Sequence, residues 1–185
     1  MKSTLKDMTL SLGGISAVAA LALSLCYNAT LEPRRQAAAE AADKAIEAVL
    51  PPFDNSPVQQ AAEVDGCTVY PAVKDGKIVG AAVETVTPDG FSGDILIIVG
   101  FAAGGTLTDY AVLSQSETPG LGAKAAEWFR DPSGHRSVIG TTAELSLTKD
   151  GGLVDGITAA TITSRAFVGA VNHARQVFLK YMSQQ

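Results

Sequence analysis

Cysteine and histidine are scarce in this 185-residue sequence, at two of each, and so are aromatics and charge, at 6% and 18%. Two cysteines, Cys26 and Cys67, are too few for a disulfide framework or a four-cysteine metal cluster. Cys26 falls inside an apolar run, so the pair is expected to stay unbridged and each thiol to be buried and inert. His135 lies in a Pro-Ser-Gly turn and His173 in a C-terminal helical pattern. Neither has metal-ligand spacing, so both read as surface residues and no metal site is expected. There is no Gly-x-Ser-x-Gly elbow and no phosphate-binding loop of the Walker type, and no catalytic residue is assigned. A net charge of −5, without any basic run interleaved with aromatics, argues against nucleic acid as a partner.

Charge is missing altogether from Met8 to Leu31. As a helix these residues would span about 36 Å, enough to cross a hydrocarbon core of roughly 30 Å. A cleaved signal peptide would have a shorter core and a small-x-small site. A lipoprotein signal is hinted at before Cys26, but the bulky Leu25 precedes it. An uncleaved N-terminal transmembrane helix is therefore expected, within an anchor segment 1–34. Its flanks, Lys2 and Lys6 against Arg34 and Arg35, leave orientation open.

The segment 35–64 is expected to form a stalk and linker. Ala37 to Leu50 is alanine-rich and favours a helix, which Pro51 and Pro52 end. Phe53 to Gly66 reads as loop. Strands then follow at 68–73 and 77–86 around Asp75-Gly76, a hairpin signal, at 94–101 as a continuous apolar run, and at 106–113. Short turns between successive strands imply an antiparallel sheet. A short helix is expected at 123–130 and a longer one at 164–181, where Phe167, Val171, Ala174, Phe178 and Tyr181 form one apolar stripe. The fold class is α+β: an antiparallel sheet flanked by helices over 65–185, preceded by the one transmembrane helix.

Two segments differ from ordinary scaffold. Ser116-Glu117-Thr118-Pro119-Gly120-Leu121-Gly122 follows the last strand. Its glycines let backbone approach a flat ligand, with Leu121 as an apolar surface. Asp155 to Ser164 (Asp-Gly-Ile-Thr-Ala-Ala-Thr-Ile-Thr-Ser) runs into the last helix. Hydroxyls beside a helix N-terminus suit an anionic phosphate. The first segment reads equally as a plain strand-to-helix turn, and Thr163 or Ser164 as a simple N-cap. The pattern Gly120-Leu-Gly-Ala-Lys-Ala125 also matches a dinucleotide-binding glycine motif. Pro119 before it and the short helix after it are the wrong context.

These two strings resemble the FMN-binding domain family, specifically the G subunit of Rnf ion-translocating electron-transport complexes; the C subunit of sodium-pumping NADH:quinone reductase is similar. The resemblance implies FMN joined to Thr161 through a phosphoester by a flavin transferase that uses FAD. It implies Asp155, Thr158, Ala159 and Ala160 as the rest of the transferase motif, with Thr163 and Ser164 at the phosphate, and Glu117, Thr118, Gly120, Leu121 and Gly122 beside the ring; Phe91 is a further candidate. Implied partners are other membrane and iron–sulfur subunits that couple ferredoxin and NAD chemistry to ion movement. The implied location is a bacterial inner membrane, single-pass, with the flavin domain on the extracytoplasmic side. Two departures stand out. Ala159 replaces a usual glycine, which matters if the backbone there has positive φ. Gln115 replaces a common histidine and inherits no role. A stand-alone flavin reductase and a flavin-free assembly module remain as other readings.

Overall fold

The computed structural model describes residues 5–185, so Lys2 lies outside the described residues. The chain divides after Glu40 into two compact units. Helix α1 covers Leu5–Val49 and contains Pro33. Its apolar side chains in the first unit, including Leu10, Ile15, Val18, Leu21 and Leu25, are exposed. This helix is long and apolar enough to cross a membrane.

The second unit is built on a five-stranded antiparallel meander in the order β1-β2-β3-β4-β5. The strands are β1 (Ala62–Val64), β2 (Cys67–Lys74), β3 (Lys77–Thr87), β4 (Ile95–Ala102) and β5 (Leu107–Ser114). Asp75 and Gly76 both take positive φ, 50° and 72°, as a two-residue hairpin turn of matching twist demands. Asp65 and Gly66 repeat the device at 50° and 75°. They fold Val64 onto Cys67 and make a strand where a loop is expected.

The apolar run of β4 is buried on both faces, as its composition implies. Ile95, Ile97, Val99 and Phe101 enter the larger core, and Ile98 the smaller one. The smaller core is closed by the end of α1. Ala45, Ile46, Val49 and Leu50 pack against Ala72, Ala82 and Ile98, so the residues expected as stalk contribute to the packed domain. Gly100 permits this close approach: a Cβ there would lie 2.0 Å from the Val49 carbonyl oxygen.

Helix α3 (Thr161–Met182) covers the opposite face. Phe167, Val171, Ala174, Phe178 and Tyr181 are all buried, as one stripe. The Phe178 ring stacks on Phe101 at 5.0 Å, and Phe167 on Phe129 at 4.4 Å. Burial of each such side chain stabilises by about 1.5–3 kcal/mol, which makes this seam the platform on which the start of α3 is fixed. The expected helix at 123–130 is shorter: a 3-10 turn at Gly122–Lys124 runs into α2 (Ala125–Trp128).

Both cysteines are free; Cys67 is buried, whereas Cys26 is exposed on α1. His173 is exposed, as expected of a surface residue, and its Nε2 lies 3.4 Å from Cys67 Sγ.

Candidate functional site

The two unusual segments, far apart in sequence, meet at the start of α3. The turn before Glu117 is set locally: its backbone N–H donates to the Gln115 side-chain oxygen. The loop then curls so that the Leu121 and Ala123 N–H groups both donate to the Thr118 carbonyl, at 3.1 and 3.3 Å. This turns Glu117 inward, where it is 5% exposed. Its carboxylate accepts from the Ser92 N–H at 2.9 Å and from the Thr163 hydroxyl. Three segments are thereby joined at one buried anion. Gly122 belongs to the same joint: a Cβ there would stand 2.5 Å from Glu117 Oε2 and 2.6 Å from Thr163 Oγ1. Its missing side chain thus makes room for the carboxylate as much as for a ligand.

The second segment is pinned at both ends. The Asp155 N–H donates to the His135 carbonyl at 2.7 Å, and the Asp155 carbonyl accepts from Trp128 Nε1 at 2.8 Å. The Ser164 hydroxyl accepts from the Ile157 N–H and donates to the Ala160 carbonyl, both at 2.9 Å. Between these ties Ala159 has φ 63°, in the left-handed region, where a β-carbon costs about 1–2 kcal/mol. The departure from glycine therefore falls at a position that favours glycine.

Helix α3 begins at Thr161, three residues earlier than expected, and its N-cap is Ala160, which has no capping side chain. Neither Thr163 nor Ser164 is the cap; their hydroxyls face Glu117 and the 157–160 backbone. The first helical bond runs from the Ser164 N–H to the Ala160 carbonyl at 3.0 Å. Helix geometry leaves the N–H groups of Thr161, Ile162 and Thr163 without intrahelical acceptors, and their partial positive charge favours an anion there.

A cavity of about 340 Å³ opens at this point, lined by Phe91, Glu117, Thr118, Leu121, Gly122, Ala159, Ala160, Thr161, Ile162 and Thr163. Three of its walls are exposed apolar side chains: Phe91 at 66%, Ile162 at 51% and Leu121 at 41%. Of the residues singled out in the sequence, Gly120, Asp155, Thr158 and Ser164 do not line it. Gly120 shapes the loop at φ 77°, while Asp155 and Ser164 hold backbone; Thr158 is exposed. Ile162 escaped the sequence reading because the helix was expected to begin after it. Lys149 escaped it too. Its ammonium donates to the Thr161 hydroxyl at 3.1 Å, and the neighbouring Asp150 pairs with Arg165 at 2.9 and 2.6 Å. The Arg165 guanidinium holds the Asp150 carboxyl below its usual range.

These features define a class, the FMN-binding domain, whose family model matches residues 90–176. The chain is 33% identical to the G subunit of the ion-translocating oxidoreductase complex of Cereibacter sphaeroides over 186 aligned positions, which cover 95% of this chain and 84% of that protein. It belongs to that G-subunit family. The corresponding protein of Vibrio cholerae is 39% identical over 62% of this chain, and that of Aliivibrio fischeri 45% over 57%. The matched region spans 57% and 52% of those two longer relatives. A crystal structure of Shewanella oneidensis NqrC is similar with a TM-score of 0.46 and 21% identity, covering 64% of this chain and 62% of that one.

The donor set fits FMN. Exposed apolar walls suit a planar ring, and a hydroxyl at an uncapped helix start beside a lysine suits a phosphate.

Proposed function

We propose that this chain is a membrane-anchored electron carrier that holds FMN through a phosphoester on Thr161, within an ion-translocating complex of the Rnf type. The observation that carries this reading is the convergence of the Glu117–Gly122 loop and Thr161 on one cavity with apolar walls. FMN supplies reversible electron uptake when bound. The protein's own groups do the rest. Thr161 provides the oxygen for the phosphoester, and the uncapped start of α3 favours the phosphate by about 0.3–1 kcal/mol. Phe91, Leu121 and Ile162 offer apolar surface to the ring, and Glu117 fixes the loop that carries Leu121. A tethered cofactor needs no deep enclosure, so the open cavity leaves a ring edge for successive redox partners.

The exposed apolar stretch of α1 supports an inner-membrane anchor, since such a surface is stable only in lipid or against other apolar helices. The extracytoplasmic placement of the flavin domain belongs to the same proposal. So do attachment by a flavin transferase using FAD, membrane and iron–sulfur subunits as partners, and coupling of ferredoxin and NAD chemistry to ion movement. The names of the relatives, as components of an ion-translocating oxidoreductase complex, support the complex and its ion translocation.

The test is intact mass and in-gel flavin fluorescence of the full chain after co-expression with a flavin transferase and export. Wild type is expected to gain one FMN residue, and Thr161→Val to remain unmodified in the membrane fraction. Wild type without the added mass overturns the reading. A fluorescent Thr161→Val protein moves the attachment to Thr158, because the Thr163 hydroxyl is committed to Glu117.

A further inference from the structure

We infer that Lys149 is the counter-ion of the flavin phosphodiester, a phosphate-pairing residue contributed by a turn outside both sequence motifs. This rests on attachment at Thr161 and adds to it a named partner for the charge that attachment creates.

The turn that carries Lys149 is built and held. It is a 3-10 turn, Thr148–Asp150, closed by Gly151 at φ 85°. The Thr148 N–H donates to the Val154 carbonyl at 2.8 Å, the Val154 N–H to the Ser146 carbonyl at 3.0 Å, and the Gly152 N–H to the Leu147 carbonyl at 2.9 Å. Gly152 sits so close to the chain before the turn that a Cβ would lie 2.1 Å from the Ser146 carbonyl oxygen. The tip is then fastened to α3 by the two-point contact of Asp150 with Arg165. Arg165 follows Thr161 by four residues, so the two share one helix face. The adjacent pair Lys149 and Asp150 thus grips the adjacent turns of that face.

The charges in this clip are unequal. Arg165 meets Asp150 in a two-point contact, whereas the Lys149 ammonium, also within electrostatic reach of that carboxylate, donates its hydrogen bond to a neutral hydroxyl. A phosphodiester on that oxygen carries one negative charge, and its free oxygens lie two bonds beyond the atom that Lys149 already touches, across the phosphorus. A lysine acts there as a point charge with three donors, which suits a rotating phosphate.

The experiment compares wild type, Lys149→Gln and Lys149→Arg as full chains in detergent, each made with and without the flavin transferase. Covalent occupancy is read by intact mass, and the rise in thermal midpoint on attachment is taken as loaded minus unloaded for each variant. That subtraction removes any effect of the substitution on the unmodified fold. The expected result is a rise smaller by about 2–4 °C in Lys149→Gln than in wild type, restored in Lys149→Arg. Loading that is lost in Lys149→Gln and kept in Lys149→Arg supports the same assignment, because a cation is then needed as the phosphate arrives. Equal rises in all three overturn it, as does a deficit that arginine does not restore. Failure of both variants to load also overturns it, since lysine itself rather than its charge is then being read. Absence of the FMN mass from wild type overturns the Thr161 attachment and this assignment with it, whereas normal loading with equal rises removes Lys149 alone.

Discussion

The Thr163 hydroxyl donates to the buried carboxylate of Glu117 across 46 residues of sequence, and this bond joins the two halves of the site. The same carboxylate accepts from the Ser92 N–H. Glu117→Gln replaces one accepting oxygen by an NH2 group, which cannot accept from both donors. Hydrogen bonds to a charged group contribute about 1.5–3 kcal/mol, and a loss of that order is expected in denaturant unfolding. Thr163→Val should cost a similar amount, and the double variant less than the sum of the two. Full additivity would mean that the bond does not form in solution.

Gly122→Ala should be destabilising for a reason unrelated to any ligand. The added carbon would stand 2.5 Å from Glu117 Oε2 and 2.6 Å from Thr163 Oγ1. Forcing atoms into a packed site costs about 1–3 kcal/mol, and the loss should appear in protein made without flavin. A normal melting temperature for unmodified Gly122→Ala would show that the loop sits farther from α3 than these distances require.

Ala159→Gly is expected to stabilise. At φ 63° the β-carbon of Ala159 opposes the backbone conformation, and its removal should gain about 1 kcal/mol. In a domain of this size that corresponds to a thermal midpoint higher by roughly 2–4 °C. If the pinned loop limits attachment, covalent occupancy should rise as well. A lower midpoint would mean that glycine's greater freedom in the unfolded chain outweighs the strain.

Leu121→Asp places a carboxylate at an exposed wall of the cavity. Its flavin is expected to stay attached while the reduction potential falls, because a nearby negative charge disfavours reduced, anionic flavin. Spectroelectrochemical titration of the purified chain checks this. An unchanged potential would place the ring away from Leu121.

The acid limb of stability should contain a contribution from Asp150. Arg165 holds this carboxyl below its ordinary value of 3.8, first through their hydrogen bond and then through charge. A depressed folded-state value stabilises above 3.8, and that contribution disappears as pH falls below it. Asp150→Asn should therefore narrow the stability difference from wild type as pH drops from 5 toward 3, an effect kept small by exposure to solvent. A gap that stays constant with pH would argue against the ion pair.

Local patterns determined much of this molecule from sequence alone. The β4 run, the Asp75-Gly76 hairpin, the stripe of α3 and the uncharged stretch of α1 each rest on neighbours a few residues apart, where periodicity and turn chemistry act directly. The strings at Glu117 and Thr161 stood out by their glycines and hydroxyls, yet they read equally as a turn and an N-cap, and only their resemblance to a family suggested roles for them. Strand β1 was not legible, because three residues cannot show an alternation, although Asp65-Gly66 carries the same turn signal as Asp75-Gly76. The start of α3 was hidden by Ala160, a cap with no side chain to announce it. Ser164 looked like a phosphate ligand and proved to be a staple, since a hydroxyl's direction depends on the backbone it finds after folding. Lys149 and Glu117 show most plainly what only the tertiary structure decides. One reaches Thr161 over 12 residues and the other Thr163 over 46. Such contacts arise because a packed sheet and helix bring remote segments within hydrogen-bonding distance, and no local pattern encodes which segments those will be.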